Sequence, residues 1–416
     1  MLMRKTGITT AAAALVLLCG CTQQDMVSTF EMSDYRITLT SDNAVDVNVS
    51  TSEGGQTRAS YDDIADGHLS GDGIGIFCLP ARKINPTASD INWFKNIEVN
   101  GGEVTYANGI YWDNVKFKVG NLHSTKNDKN YHKLEMVEDH DILEYYPLIS
   151  NYGYDFYGYA PYQEGTLKDD TDADNFGYAV EYMTVAFTID GSHDIIYGRS
   201  KAPEGDLANR NDYYSARYFR QTSQASAVEM DFEHKLTRLN FYVNPEPDGE
   251  GSYESVDQLA VKSIKLYNVV THVNLYIADK TEHNRAGKLV VGKPKAVTDF
   301  ISLRGTDWTT VTDKLLDIDH EQVVNDKLKV GEHLMVYPEK QYEMEIILCD
   351  KDDHTKVFPA RRLTLALNGG AAFKPGYQYN INIGVSGPVA INLISAQLID
   401  WNTEEGNSDV DVSYGE

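Results

Sequence analysis

The chain contains 416 residues, of which 62 are Asp or Glu and 37 are Lys or Arg, giving a formal net charge of -25 and a pI near 4.8. Because a surface this acidic repels the phosphate groups of nucleic acids, we exclude a nucleic-acid partner. The 42% content of hydrophobic residues is far too high for a disordered polyanion. A chain of this length exceeds the size at which a single hydrophobic core usually stops growing, so we expect about two domains.

Residues 1–20 have the features of a secretory signal. Two basic residues precede an apolar run over residues 11–18 that is too short to remain as a membrane-spanning helix. The segment ends in Leu-Cys-Gly-Cys, a spacing that resembles the lipobox of bacterial lipoproteins, in which the second cysteine, here Cys21, becomes the lipidated N-terminus. Acyl chains contribute about 0.8 kcal/mol per buried methylene, so two or three of them form a stable anchor. We therefore predict a lipid anchor at Cys21; an ordinary secreted protein with an incidental cysteine here is the alternative.

Alternation of apolar and polar residues predicts two strands early in the mature chain, over residues 35–39 and 45–49. The following segment, 50–60, has no apolar periodicity and contains two adjacent glycines, so we predict an exposed loop that proteases can reach. Turn-rich segments then separate further strand-like runs, and this organisation predicts an all-β protein of sandwiches. These runs cover residues 73–79, 115–119, 154–160, 183–189, 236–243, 261–269, 273–277, 334–337, 344–348, 363–367, 377–383 and 390–399.

The clearest change in composition lies over residues 217–228, where a polar stretch separates a Tyr-rich half from a half rich in Val, Leu and Lys. We place a domain boundary near residue 226. No repeat with a short fixed period is present, so the sequence does not indicate a solenoid.

The common catalytic signatures, including HExxH, GxSxG and the phosphate-binding GxxxxGK[ST] loop, are missing from the sequence. We therefore predict that the protein is not an enzyme and needs no cofactor. One acidic segment has the ligand spacing of a calcium loop, although its sixth position is Asn175, where such loops need glycine. A solvated acidic loop is the alternative. The candidate calcium ligands are Asp170, Asp172, Asp174 and Glu181.

Two further features have a structural and a functional interpretation. Cys78 and Cys349 lie in apolar, strand-like runs, which favours buried free thiols over a disulfide. The aromatic run over residues 152–162 could form a platform on which a sugar stacks. Because alternate side chains of a strand point to opposite faces, at least half of these rings must enter the core, and we favour core packing.

Several motifs together resemble the fimbrillin family, the type V pilin-like lipoproteins of Bacteroidota. They occur in family order over nearly the whole mature chain, and each is a pattern of core and turn residues. The matching segments are Tyr145-Tyr146-Pro147, DFYGYAPY from Asp155, DIIYG from Asp194, DFEHKL from Asp231 continuing into RLNF from Arg238, FKPGY-x-Y from Phe373, and IDW from Ile399.

This resemblance implies two tandem transthyretin-like β-sandwich domains behind a lipoprotein signal peptide, and an extracellular fimbria as the final location. In the family, the lipoprotein reaches the outer membrane and a surface trypsin-like protease cuts behind the first strand or strands. Another subunit's strand then fills the groove that this segment leaves. The family's cleavage position matches Arg58 and Ala59, and Arg58 is the only Lys or Arg between Arg36 and Arg82. An uncut surface arginine is the alternative.

On this basis we predict a structural pilin or pilin-like adhesin that assembles with other pilin subunits. The chain divides into a signal peptide (1–20), a lipidated propeptide with the first strands (21–58), an N-terminal β-sandwich (59–225) and a C-terminal β-sandwich (226–416). The candidate donor strands are residues 389–400 and the alternating tail with Val410, Val412 and Tyr414. The competing hypothesis is a monomeric surface lipoprotein that binds glycan or calcium.

Overall fold

The computed structural model describes residues 36–41, 73–93, 98–100, 103–105, 109–126, 129–137, 145–147, 151–164, 176–179, 182–205, 209–222, 227–281, 284–296, 299–305, 316–323, 327–400 and 408–410. Across these segments the regular structure is almost entirely β, as the alternating sequence predicts. None of the helices in these segments is long and apolar enough to cross a membrane.

The strands follow one another with few helical interruptions. Among the described residues, one α-helix, α1 (Ala216–Thr222), begins after Ser215, whose Oγ accepts a hydrogen bond from the Tyr218 amide at 3.2 Å and so caps the first turn. Short 3₁₀ turns lie at Val256–Gln258, His320–Gln322 and Asn368–Gly370. The strands are β1 Leu39–Ser41, β2 Ile74–Lys83, β3 Glu98–Asn100, β4 Glu103–Thr105, β5 Trp112–Lys126, β6 Lys129–Met136, β7 Tyr152–Ala160, β8 Phe176–Ala179, β9 Tyr182–Thr188, β10 Ile196–Ser200, β11 Val228–His234, β12 Thr237–Pro245, β13 Leu259–Tyr267, β14 His272–Asp279, β15 Leu289–Val291, β16 Phe300–Ser302, β17 Leu316–Asp317, β18 Leu328–Val336, β19 Gln341–Asp350, β20 Arg361–Ala366, β21 Tyr377–Val385, β22 Ile391–Asp400 and β23 Ser408–Val410.

Seven strands close into a barrel in the order β1-β11-β10-β7-β2-β5-β6. One face of these strands and the buried side of α1 share a core that is rich in aromatic residues. Closure removes the free strand edges that an open sheet would expose. With three residues, β1 is the shortest strand of the barrel. It completes the barrel because it pairs with β11 on one side and with β6 on the other.

The C-terminal half contains two five-stranded sheets. One has the order β18-β12-β21-β22-β23, and the other has the order β16-β13-β19-β20 with β17 also paired to β13. Both contribute buried side chains to a second, larger core. Along β12, Leu239, Phe241 and Val243 alternate into that core, as period-two strands require. This layered arrangement of sheets agrees with the predicted all-β class.

A further sheet, β15-β14-β9-β8, joins the two halves of the chain. Strand β9 precedes the predicted domain boundary and β14 follows it, yet the two pair from His272↔Thr188 to Asp279↔Tyr182. Aromatic residues of β2, β7 and β10 also belong to the larger core. Residues 223–226 lie outside the described residues, so the boundary near residue 226 stays a prediction.

The aromatic run of β7 is buried along its whole length, which confirms core packing and excludes the sugar platform there. Phe156 and its alternate neighbours enter the barrel core, whereas Tyr157 and Tyr159 enter the larger core. Strand β7 is central, between β10 and β2, so both of its faces are covered. Cys78 and Cys349 are buried free thiols, as predicted.

Candidate functional site

The candidate site is the position of β1 between β6 and β11, which we call the first-strand slot. Leu39, Thr40 and Ser41 pair antiparallel with β6, and Leu39 and Thr40 pair parallel with β11. The amide of Val228 also donates to the carbonyl oxygen of Thr38 at 2.8 Å. The backbone of β1 is therefore bonded on both sides, as in a central strand.

Two side chains of the β1 segment enter the barrel core. Ile37 and Leu39 are 8% and 1% exposed, and both belong to the cluster that contains Leu134, Val228 and Met230. Full burial of such a side chain stabilises a fold by about 1.5–3 kcal/mol. These two side chains anchor the β1 segment in the barrel core.

The Tyr145-Tyr146-Pro147 motif lies beside the start of this segment. Arg36 forms an isolated antiparallel bridge with Tyr145, whose carbonyl oxygen accepts a hydrogen bond from the Tyr111 hydroxyl. Tyr146 is 2% exposed, and its ring lies 5.2 Å from that of Phe219 in α1. Burial raises the pKa of the Tyr146 hydroxyl well above its ordinary value. This motif therefore supports the core beneath the slot and carries no reactive group.

The DIIYG and DFEHKL motifs meet at a buried carboxylate. Asp194 is fully buried, and its Oδ2 lies 2.5 Å from Nδ1 of His234. Its Oδ1 accepts hydrogen bonds from the amides of Ile195 at 2.7 Å and Leu236 at 3.2 Å. One side chain thus holds the start of β10 against the junction between β11 and β12.

Glycine is required at two positions where β7 and β10 pack against the ring of Phe232 in β11. Gly198 and Gly158 are register partners in β10 and β7, and the ring of Phe232 lies over both. A Cβ added to Gly198 would lie 2.4 Å from that ring, which is closer than real Cβ contacts allow. The motif spacing is therefore explained by packing inside the barrel.

The FKPGY motif approaches the same junction from the C-terminal half. The amide of Gly376 donates to the carbonyl oxygen of Leu236 at 2.8 Å, and Thr237 Oγ1 donates to that of Lys374 at 2.9 Å. The Phe373 ring lies 4.7 Å from the Tyr379 ring, in an edge-to-face arrangement. The family-like motifs therefore converge on the connection between the barrel and the C-terminal sheets.

The residues to which the sequence assigns chemistry lie outside the described residues. Arg58 and Ala59 fall within the connection 42–72, which joins β1 to β2 along the chain. Lipidation at Cys21, cleavage at Arg58 and calcium binding by the acidic loop therefore stay predictions. The other residues outside the described segments are Cys21, Asp170, Asp172, Asp174 and Glu181.

The structure brings together one acidic group that sequence reasoning missed. Ligand-type atoms of Asp257, Asp319 and His320 lie within 4.8 Å of one another. His320 Nδ1 is 2.7 Å from Asp257 Oδ2, and Asp319 accepts a hydrogen bond from the Glu321 amide at 3.0 Å. These bonds cap a short 3₁₀ turn, which accounts for the grouping without a metal. Only the tertiary fold could reveal it, because Asp257 is remote from the other two in sequence.

A Ser-His-Asp grouping near β9 lacks the order that catalysis needs. Ser192 Oγ lies 2.5 Å from both Asp190 Oδ1 and His193 Nδ1, so the histidine does not stand between the serine and the carboxylate. Burial acts to raise the pKa of Asp190, but hydrogen bonds from His193 and Ser192 outweigh it and hold the pKa well below its usual range. Arg304 also donates to Asp190 at 2.7 Å. These contacts hold in place the turn that follows β9.

Comparison with known proteins agrees with the resemblance seen in the sequence. The fimbrillin-like family model matches residues 57–401. A comparison with curated protein sequences gave no match. Similar solved structures include a candidate cell adhesion protein from Bacteroides uniformis, with 16% identity, a TM-score of 0.44, and coverage of 89% of this chain and 100% of that chain.

Two other solved structures are similar at comparable coverage. A candidate cell adhesion protein from Bacteroides ovatus has 12% identity and a TM-score of 0.45, with 89% of this chain and 99% of that chain covered. The fimbrial anchor protein Mfa2 from Porphyromonas gingivalis has 10% identity and a TM-score of 0.28, with 91% of this chain and 100% of that chain covered. Because the family model spans most of the sequence, this chain belongs to the fimbrillin-like family.

Proposed function

We propose that this chain is a pilin-like adhesin subunit of a cell-surface fimbria, assembled by cleavage after Arg58 and exchange of the first strand. The proposal rests on the position of β1, which completes the barrel by pairing with both β6 and β11. Family membership supports a fimbrial role. The two halves would correspond to tandem transthyretin-like domains.

Loss of β1 would create a site for another strand. The facing edges of β6 and β11 would lose their backbone partners, and Leu134 and Val228 would lose the cover of Leu39. Unpaired backbone groups beside an apolar groove are costly, and an added strand satisfies both. A donor strand that covers more of the slot than β1 would displace it once the covalent link is cut.

The C-terminal tail is the better donor candidate. Strand β22 pairs with β21 from Val385↔Ile391 to Tyr377↔Asp400, so it is an integral strand of its own sheet. Strand β23 makes three pairs with β22 and lies at the sheet edge. We assign the donor role to the segment that begins at β23 and continues through Val412 and Tyr414, of which residues 411–416 lie outside the described residues.

The proposed lipid anchor lies before the proposed cleavage site in the sequence, so cleavage would also release the subunit from the membrane. Cys21 precedes Arg58, so cleavage would separate the acylated segment from the subunit that carries the barrel and the C-terminal sheets. An uncut chain would stay attached to the outer membrane. The same step would therefore open the slot and free the subunit for incorporation.

The test compares Arg58→Ala with the matched control Arg58→Lys, which keeps a site for a trypsin-like protease. We expect Arg58→Lys to form SDS-resistant ladders after limited trypsin treatment and Arg58→Ala to remain a folded monomer. By electron microscopy, cells that carry Arg58→Lys should display fibres, and cells that carry Arg58→Ala should not. Normal fibres from Arg58→Ala, with residues 36–41 still attached to the subunit, would show that the cleavage-and-exchange mechanism is wrong.

A further inference from the structure

The sheet β15-β14-β9-β8 ends at β15, a strand of three residues that has a neighbour on one side only. At its end the amide of Gly292 donates to the carbonyl oxygen of His272 in β14 at 2.9 Å. Backbone groups of successive residues in a strand point to alternate sides, so the N–H and C=O groups of Leu289 and Val291 point away from β14. Among the described residues, no strand pairs with this side, which we call the β15 edge.

The side chains at the β15 edge are apolar and exposed. Val290 and Val291 are 40% and 41% exposed, and as neighbours in a strand they point to opposite faces of the sheet. Val291 lies opposite Val273, which belongs to the larger core, and Leu289 packs against that core. The face that covers the core therefore ends in an open apolar border. A further strand would satisfy the backbone groups and cover this border with alternate side chains.

The charge of the β15 edge is opposite to that of the whole protein. Residues 285–296 contain four basic residues and no acidic one, in a chain with a net charge of -25. Arg285 and Lys295 are already paired with carboxylates. Lys288 and Lys293, which flank β15, are exposed and form no ion pair among the described residues. Two cations therefore remain available to an acidic partner.

These features define the residue pattern of a partner strand. Lys288 lies two positions before Val290, so both point to the face that is turned away from the core. An acidic side chain on the outer face of an added strand would lie beside Lys288, and an apolar side chain on its inner face would lie beside Val291. A further acidic residue at the end of the added strand would lie near Lys293. The pattern that fits this edge alternates acidic and apolar residues.

We propose that the β15 edge binds an extended acidic segment of another protein, which joins the sheet as a fifth strand. Lysines on edge strands often prevent pairing between sheets, but here they flank two exposed valines and leave the outward backbone groups open, so they select an acidic strand. The acidic tail of this chain is engaged elsewhere, because β23 pairs with β22. The occupant is therefore a different protein. The proposal goes beyond fimbrial assembly and does not depend on cleavage at Arg58.

The test uses the chain with Cys21→Ala and Arg58→Ala, which is free of lipid and keeps β1 attached. The probe is a labelled synthetic peptide in which Asp and Val alternate, and two counterparts carry Lys in place of Asp or Ser in place of Val. We expect fluorescence anisotropy to show binding of the Asp-Val peptide, binding about tenfold weaker for the Ser counterpart, and none for the Lys counterpart. Salt should weaken the binding. Hydrogen exchange at the Val291 amide should slow in the complex.

Variants of the protein separate the backbone contribution from the charge contribution. Val291→Pro removes an outward-facing amide and keeps the bonds to β14, so it should weaken binding about tenfold or more with little change in melting temperature. Val291→Ile keeps the amide and the apolar surface and should bind as the wild type does. Lys293→Glu leaves the backbone unaltered and should weaken binding severalfold. Lys374→Glu, at an exposed position before β21, is the matched control and should have no effect.

Three results would contradict the proposal. Absence of binding by the Asp-Val peptide would overturn it and leave the lysines as protection against pairing between sheets. Equal binding by the wild type, Val291→Pro and Lys293→Glu would show that the peptide binds elsewhere. Self-association of the chain that Val291→Pro abolishes would overturn the assignment to a different protein and give the β15 edge to a second copy.

Discussion

The carboxylate of Asp194 contacts one side chain and accepts hydrogen bonds from two backbone amides. The DIIYG motif alone does not indicate these contacts. Asp194→Ala would leave buried donors at Ile195 and Leu236 without a partner. We expect a loss of about 3 kcal/mol of unfolding free energy. Urea denaturation measures it, with Glu250→Ala at an exposed turn position as the control. A change as small as the control's would mean that other contacts hold this junction.

Leu39 is the main anchor of β1, at 1% exposure. Leu39→Ala should destabilise the uncut chain by about 2–5 kcal/mol, because it leaves a cavity in the barrel core. Thr38→Ala, at a half-buried position of the same segment, should have a smaller effect. Once the chain is cut and β1 has been replaced by a donor strand, Leu39→Ala should no longer affect stability. Equal melting temperatures for the uncut wild type and the uncut Leu39→Ala chain would contradict the anchoring role.

The turn before β21 depends on a backbone conformation that glycine adopts easily. Gly376 has φ of +73°, in the left-handed region, and its amide bonds to Leu236. We expect Gly376→Ala to destabilise the protein by about 1–2 kcal/mol through backbone strain. Gly249→Ala is the matched control, because a Cβ there meets no atom within 4 Å and φ is not positive. If both variants melt at the same temperature, the strain argument fails.

Strands β22 and β23 differ in how firmly they are built into their sheet. Deletion of residues 408–416 removes only the edge strand β23 and the tail, so we expect a folded monomer with a melting temperature within a few degrees of wild type. The deleted chain should form no SDS-resistant ladders after cleavage, because it lacks the donor. In contrast, Leu393→Asp in β22 should prevent folding, since Leu393 is 4% exposed. Ladders formed by the deleted chain alone would exclude the tail as donor.

Acid stability should reflect the paired carboxylates distributed over the whole molecule. Burial acts to raise the pKa of Asp279, but hydrogen bonds from Arg285 and Thr281 outweigh it and hold the pKa well below its usual range. Between the two pKa values the unfolded chain binds a proton that the folded chain does not, so the stabilisation is complete above the unfolded pKa and is lost as the pH falls through the folded one.

We therefore expect the free energy of unfolding to fall between about pH 5 and about pH 2. Asp279→Asn should make this pH dependence shallower, and Asp352→Asn, at an exposed position, should leave it unchanged. Urea titrations at several pH values measure both slopes. An Asp279→Asn slope equal to that of wild type would show that this carboxylate does not contribute.

Local patterns in the sequence determine the all-β class and much of the strand content. The predicted runs overlap β2, β7, β12, β13, β19, β21 and β22, because alternating apolar side chains are a local requirement of a half-buried strand. Strand β10 is not predicted, since Gly198 and Arg199 break its apolar pattern. The Phe232 ring, brought from β11, covers Gly198, and that contact depends on the assembled barrel.

Tertiary structure alone decides which distant segments meet. The insertion of β1 between β6 and β11, the pairing of β9 with β14 across the predicted boundary, and the position of β15 at a sheet edge all depend on residues far apart in the chain. The sequence by itself determined the family, through motifs of packing and turn residues, and it predicts lipidation at Cys21 and cleavage after Arg58. Strand order and the exposure of sheet edges were decided only on folding, because backbone pairing and burial depend on partners that a local pattern does not specify.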